Sequence, residues 1–426
     1  MDCIRIRGGQ PLRGRVEIDG AKNAALPLLA ASLLTDQPVT LARYPELGDT
    51  RSMLALLRRL GVEATPPGPC SRSMALVTRR VASTTADYDL VRRMRASVLV
   101  LGPLLVRSGQ AEISLPGGCA IGTRPIDLHL GALAELGAVI DLEGGYVRAR
   151  APRRGLRGAR IRFAQVSVGA TENALMAAVL AHGETCIENA AREPEVADLA
   201  QCLMAMGARI EGGGTSTLHV QGDTVFRPAS HRILGDRIEA GSYAAGALIT
   251  GGRIELAGAP ADAMTATLDV LRSVGARIEL PPDAVVVDGS GTLTATEVET
   301  GVYPAFPTDM QAQLMAVLCL AGGRSRIVEN IFENRFMHVS ELVRMGARIR
   351  VRGRAAEIDG VRQLLAAPVM ATDLRASLSL VLAALAAEGE SVIRRVYHLD
   401  RGYSRLEAKL QAVGATIRRT AEDGET

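Results

Sequence analysis

The chain has 426 residues, of which 47% are apolar and 22% charged, with 49 Lys and Arg set against 46 Asp and Glu. At about 150 residues per domain, that length suits two to three globular domains and excludes disordered, fibrous and disulfide-stapled classes. A net charge of +3, seven Tyr, five Phe and no Trp supply neither the general attraction nor the stacking surfaces that nucleic acid needs.

Six cysteines, Cys3, Cys70, Cys119, Cys186, Cys202 and Cys319, form no C-x-x-C pair and no spacing typical of zinc, so no metal and a reducing compartment are expected. The first residues lack the apolar core and cleavage site of a secretory signal. The longest apolar runs, 24–34 and 378–387, fall short of the roughly 18–20 residues that cross a bilayer. A cytoplasmic chain without a membrane span is expected.

Along the chain one phrase returns: an amphipathic helix, a glycine, then a short alternating strand. Met53, Leu56, Leu57 and Leu60 are spaced for one helix face and stop at Gly61, the residue suited to a left-handed cap. The same pattern closes at Gly137, Gly207, Gly275, Gly346 and Gly414. After Gly346, the alternation Ala347-Arg-Ile-Arg-Val351 reads as a half-buried strand. Each unit also carries an almost wholly apolar segment, at 24–34, 96–106, 172–181, 243–249, 311–321 and 376–387. A helix apolar all round must be buried all round. Six units of about 70 residues are too long for the usual 20–45-residue solenoid repeat and predict two α/β domains of three units each.

The starts of the buried helices carry Lys22 and Asn23, Arg95, Ser167 to Gly169, Arg237, Asp309, and Asp373 with Arg375. Ahead of the outer helices stand Asp49, Cys119 with Arg124, Glu193, Arg335 and Arg401. Helix starts offer free N–H groups and a positive dipole end, and an Arg fork matches carboxylate or phosphate. Lys22, Arg95, Arg124, Arg335, Arg375 and Arg401 recur in phase, so small polyanionic ligands, two in number, are expected in a cleft between the domains. In Ser114-Leu-Pro-Gly-Gly-Cys-Ala-Ile-Gly-Thr-Arg-Pro125, the breakers demand a loop, and Arg124 is near enough to tune the thiol of Cys119 for acid or nucleophile chemistry. The other cysteines read as structural, and the histidines, His338 and His398 among them, as second partners in hydrogen bonds.

Several segments carry a resemblance. Gly20-Ala-Lys-Asn-Ala-Ala-Leu-Pro27, Met94-Arg-Ala-Ser97, Leu115-Pro-Gly-Gly-Cys119, Ser167-Val-Gly-Ala-Thr171, Asn189-Ala-Ala-Arg-Glu-Pro194, Phe306-Pro-Thr-Asp-Met-Gln311, Glu333-Asn-Arg-Phe-Met-His338, Thr372-Asp-Leu-Arg-Ala376 and His398-Leu-Asp-Arg-Gly-Tyr403 together resemble the UDP-N-acetylglucosamine 1-carboxyvinyltransferases of the EPSP synthase-like enolpyruvyl transferase superfamily. The likeness runs from the first strand to about Arg418. It implies an inside-out α/β barrel fold of two domains, each of three βαβαββ units. One domain would span 21–232 and carry the Cys loop; the other would combine 1–20 with 233–426.

The resemblance further implies transfer of the enolpyruvyl group of phosphoenolpyruvate to the 3-hydroxyl of UDP-N-acetylglucosamine, releasing phosphate through a tetrahedral ketal, at the entry to peptidoglycan synthesis. Cys119 would be the acid, able to form a pyruvate-type adduct and open to alkylation by fosfomycin. Asp309 would be the base. Lys22, Arg124 and Arg401 would hold the phosphate, Arg335 and Arg375 the carboxylate, and Asp373 would relay or position a proton. Asn23, Arg95, Pro125, Asp127, Leu128, Ser167, Val168, Gly169 and Ile331 would contact the UDP-sugar. Gln165 stands where some relatives carry Lys, which removes one ionic contact from the diphosphate. No cofactor is implied, and the oligomeric state is left open. Two other readings are the shikimate-pathway enolpyruvyl transferase, whose N-terminal phosphate signature differs and which lacks the loop Cys, and a silent UDP-sugar sensor, which would need neither Cys119 nor Asp309.

Overall fold

In the computed structural model, which describes residues 2–66, 72–92, 94–115 and 126–421, each expected stop glycine adopts the left-handed conformation. Gly61, Gly137, Gly207, Gly275, Gly346 and Gly414 have φ between 93° and 121°, where a Cβ would be strained. Each is followed by a strand: Glu63–Thr65, Val139–Glu143, Arg209–Glu211, Arg277–Glu279, Arg348–Arg352 and Thr416–Ala421.

The all-apolar segments form helices Lys22–Ala31, Leu101–Ser108, Val168–Ala178, Arg237–Thr250, Gln311–Leu318 and Ala376–Ala386. Burial is near-total: all eight residues of Gln311–Leu318 are buried, as are ten of the eleven in Ala376–Ala386. A fully buried Leu such as Leu28 or Leu29 contributes roughly 2 kcal/mol by leaving water. The outer helices bury one face only; in Gly48–Leu60 the inward set includes Met53, Leu56, Leu57 and Leu60. The segment expected as a helix from 96 differs. Residues Arg95–Val100 are a 3-10 turn and the α-helix starts at Leu101, which places Pro103, a residue without an N–H, in the first α-helical turn.

The fold is an inside-out α/β arrangement, with six four-stranded sheets around these helices. One unit shows the βαβαββ plan: Arg160–Arg162, Val168–Ala178, Glu184–Glu188, Pro194–Met206, Arg209–Glu211 and Thr217–Gln221. Its first two strands pair parallel, and the fourth pairs antiparallel with both the second and the third. Register aligns Ile161 with Ile187, Ile187 with Leu218 and Ile210 with Val220. All five are buried, so one sheet face is sealed on helices while Arg160, Arg162, Glu184 and Glu211 face outward. Two sheets are completed from far along the chain. Asp2–Arg7 lies between Glu390–Arg394 and Thr416–Ala421, and Ala229–Arg232 pairs with Val39–Ala42.

Among the described residues, two compact units result, 2–19 with 235–421 and 20–234, each with its own apolar core. No helix among them is long and apolar enough to cross a membrane.

Candidate functional site

The unit of residues 20–234 gathers several of the expected residues at helix starts. Lys22 opens its helix and is 7% exposed; its Nζ lies 3.4 Å from Oδ2 of the buried Asp49, in the first turn of Gly48–Leu60. Two helix starts from one repeat are thereby joined by an ion pair, and burial keeps water from screening it. Asn23 is half-buried, as is Arg95 at the head of its 3-10 turn. Asp127 is exposed and Leu128 half-buried at the start of Asp127–Glu135.

Ser167 caps helix Val168–Ala178: its Oγ accepts from the N–H of Ala170 at 3.4 Å, and its carbonyl accepts from Thr171 Oγ1 at 2.8 Å. Val168 and Gly169 remain half-buried at the opening turn, and Gln165 is exposed. Cys119, Arg124 and Pro125 lie outside the described residues.

Two residues that sequence reasoning passed over sit behind this turn. Asn173, fully buried, accepts from the N–H of Gly102 at Oδ1 (2.7 Å) and donates through Nδ2 to the carbonyl of Val98 (2.8 Å). A Cβ on Gly102 would stand 2.5 Å from Asn173 Oδ1 and 2.6 Å from its backbone carbonyl oxygen, so only glycine allows the close approach. Nδ2 also lies 3.0 Å from Nδ1 of His129. Burial, reinforced by the charge of Arg95 and opposed by Asp127, lowers His129 to about 4, so its imidazole is neutral near pH 7. The polar run Thr171-Glu-Asn173, all buried in a helix otherwise made of small and apolar residues, was the available signal. Nearby, Glu172 is pushed well above the usual carboxylate range by burial and then by Glu195 and Glu193.

The other unit brings together Asp309, Arg335, Arg375 and Asp373. Asp309, in the 3-10 turn Thr308–Met310 before Gln311–Leu318, accepts from Arg335 Nη2 at 2.8 Å and from Arg375 Nε at 3.2 Å. Both guanidiniums are nearly inaccessible, 4% and 3% exposed, whereas the Asp309 side chain is 25% exposed. Nη1 and Nη2 of Arg375 are buried without a hydrogen-bond partner among the described residues. Its guanidinium lies 5.8 Å from the ring centroid of Tyr403, whose hydroxyl is within hydrogen-bond range of Ser242 (3.0 Å) and Gln313 (3.2 Å). Two core helices, Arg237–Thr250 and Gln311–Leu318, thus fix the arginine's platform.

Asp373 Oδ1 accepts from the backbone N–H groups of Arg375 and Ala376 at 2.8 and 2.9 Å, pinning the start of Ala376–Ala386. His338 is fully buried and lowered to about 4 by burial, against the pull of Asp373 and with the push of Arg335. His398 is lowered by burial and then by Arg401, again opposed by Asp373. Both rings therefore sense the Asp373 carboxylate. Arg401, half-buried, ends the turn Val396–Arg401, and the N–H of Ile331 donates to Glu329 Oε1 at 2.9 Å. An anion-binding pair of guanidiniums beside one carboxylate suits a ligand that carries its own carboxylate or phosphate. No grouping of His, Cys, Asp and Glu able to hold a metal occurs among the described residues.

A family model described as EPSP synthase (3-phosphoshikimate 1-carboxyvinyltransferase) matches residues 6–410. The UDP-N-acetylglucosamine 1-carboxyvinyltransferase of Zymomonas mobilis is 58% identical over 98% of this chain and 99% of its own length. That of Novosphingobium aromaticivorans is 56% identical over 99% of this chain and all of its own. Among solved structures, the enolpyruvyl transferase NikO from Streptomyces tendae superposes with a TM-score of 0.88 at 26% identity, covering 98% of this chain and 99% of that one. An EPSP synthase from Acinetobacter baumannii shares the fold, with a TM-score of 0.75 at 17% identity over 99% of this chain and 100% of that one. With a family model spanning nearly the whole chain and full-length relatives above half identity, the chain belongs to the EPSP synthase family of enolpyruvyl transferases.

Proposed function

We propose that the chain transfers the enolpyruvyl group of phosphoenolpyruvate to the 3-hydroxyl of UDP-N-acetylglucosamine and releases phosphate, the committed entry to peptidoglycan precursors. The acceptor follows the relatives that match end to end at 55–58% identity, all UDP-N-acetylglucosamine 1-carboxyvinyltransferases. The EPSP synthases share the fold at 17%.

The carrying observation is the Asp309 carboxylate held between Arg335 and Arg375 while Nη1 and Nη2 of Arg375 have no hydrogen-bond partner among the described residues. A buried donor pair without acceptors costs free energy that a bound carboxylate recovers. Phosphoenolpyruvate fills that need at its carboxylate end, and Lys22, Arg124 and Arg401 take its phosphate. Once the substrate carboxylate draws on the guanidiniums, they hold Asp309 less firmly as an anion. Asp309 then becomes basic enough to take the proton of the sugar hydroxyl. Cys119 protonates the methylene carbon as the sugar oxygen bonds to C2, giving the tetrahedral ketal; the ketal then expels phosphate from C2 while a proton of the new methyl group returns to the Cys119 thiolate, which restores the carbon–carbon double bond. Asp373 positions the proton transfer.

Asn23, Arg95, Pro125, Asp127, Leu128, Ser167, Val168, Gly169 and Ile331 receive the UDP-sugar. A soluble cytoplasmic role in cell-wall synthesis, and through it in cell shape and division, follows from those substrates. Inactivation by fosfomycin is part of the same reading and rests on the thiol of Cys119, which the epoxide would alkylate.

Phosphate release from phosphoenolpyruvate is the direct test. It is expected with UDP-N-acetylglucosamine and not with shikimate 3-phosphate. Release with the latter alone overturns the acceptor, and release with neither overturns the reaction.

A further inference from the structure

The environment of His129 fixes which of its nitrogens carries the proton. Gly102 can only donate through its N–H and Val98 can only accept through its carbonyl, so Asn173 must place Oδ1 toward Gly102 and Nδ2 toward Val98. Nδ2 therefore points its second proton at His129 Nδ1, 3.0 Å away. That nitrogen accepts, and the proton of the neutral ring resides on Nε2.

His129 is 8% exposed, and its Nε2 has no hydrogen-bond partner among the described residues. The Cε1–Nε2 edge faces the first turn of Val168–Ala178: a Cβ built on Gly169 would lie 3.0 Å from Cε1 and 3.3 Å from Nε2. At that turn the N–H groups of Ala170 and Thr171 are taken by Ser167. The N–H groups of Val168 and Gly169 bond to nothing in the chain among the described residues. Two backbone donors and one ring donor thus converge on a single opening, in an eleven-residue helix whose dipole favours an anion.

We propose that His129 Nε2–H is a third donor to a phosphate oxygen of the bound nucleotide diphosphate at the Ser167–Gly169 turn, and that Asn173 is the positioning residue that holds it in the donating tautomer. The inference rests on the UDP-sugar reading above and adds a residue to it. It also gives Gly169 a reason: any side chain there would stand against the ring and close the opening. The exposed Gln165 brings no charge to this turn, and the neutral imidazole supplies a directional donor there.

The test pairs spectroscopy with binding. In protein labelled with 15N-histidine, two-bond proton–nitrogen correlation spectra should show His129 as the Nε2–H tautomer, and the Nδ1–H form overturns the proposal without any mutation. In calorimetry, His129→Ala should weaken UDP by about 10- to 100-fold, the range for a hydrogen bond to a charged group. Uridine, measured by competition, should bind as before. Equal losses for uridine and UDP, or a UDP affinity within twofold of the parent, overturn it. Asn173→Asp, confirmed folded by thermal melting, should draw the ring proton to Nδ1 and weaken UDP likewise. If the parent protein binds neither UDP nor UDP-N-acetylglucosamine, the substrate reading fails; if it binds them and His129→Ala binds them equally, only this inference fails.

Discussion

Replacing Asp309 by Asn isolates what its carboxylate does for the arginine pair. The substitution keeps size and shape but leaves the guanidiniums of Arg335 and Arg375, 4% and 3% exposed, without their shared anion. Removing one partner of a buried ion pair costs about 3–5 kcal/mol. Because the Asp309 side chain is 25% exposed, water replaces part of the loss, which places the expected cost near the lower limit, about 3 kcal/mol. For a unit of this size, 1 kcal/mol corresponds to roughly 2–4 °C, so the variant should melt on the order of 6–12 °C lower. Phosphoenolpyruvate should then raise the melting temperature more in the variant than in the parent, since its carboxylate no longer shares the clamp. Turnover should fall by about 10²–10⁴, the usual worth of a positioned base. Scanning calorimetry with and without ligand reads the first two effects. A variant melting within about 1 °C of the parent, or gaining less from ligand, refutes the reading of Asp309 as the clamp's resident anion.

Acid should destabilise the fold through two histidines. His129 and His338 are each lowered to about 4 mainly by burial, whereas an unfolded histidine titrates near 6.5. The unfolded chain takes up protons first, so this stability is complete above about pH 6.5 and is lost as pH falls toward 4, about 2 kcal/mol for each ring at pH 5. Urea denaturation at pH 7.5 and pH 5 measures it, and a stability flat across that interval contradicts the burial argument. Cys119→Ser should abolish or severely slow phosphate release and leave no covalent fosfomycin adduct by mass spectrometry while UDP-N-acetylglucosamine binds as in the parent; lost binding in titration calorimetry would make the residue structural rather than chemical.

Much of this architecture was legible because local physics dictates it. A glycine after an amphipathic run has one economical use, and all six such glycines adopt it. Segments with no polar face had to be central, as Gln311–Leu318 and Ala376–Ala386 are. The phase of Asp309, Arg335 and Arg375 within the repeat indicated a common site, and the three meet. Which atoms meet was not legible, since Asp309 reaches partners 26 and 66 residues away and nothing in the intervening sequence encodes a hydrogen bond. His129 and Asn173 escaped notice for the same reason. Their meaning depends on the close pass of Gly102 beneath Asn173, a property of two helices crossing rather than of either segment. The unexpected 3-10 turn at Arg95–Val100 shows apolar composition reporting burial faithfully and helix type less so.

The placement of Asp2–Arg7 between Glu390–Arg394 and Thr416–Ala421 orders events during synthesis. Residues 20–234 hold all twelve strands of their three sheets, so that half can mature on the ribosome as soon as it emerges. The opening strand has no such option. It must wait, unpaired, until Glu390–Arg394 and Thr416–Ala421 have been translated, so a strand made before all of residues 20–234 finds its neighbours after they have found theirs.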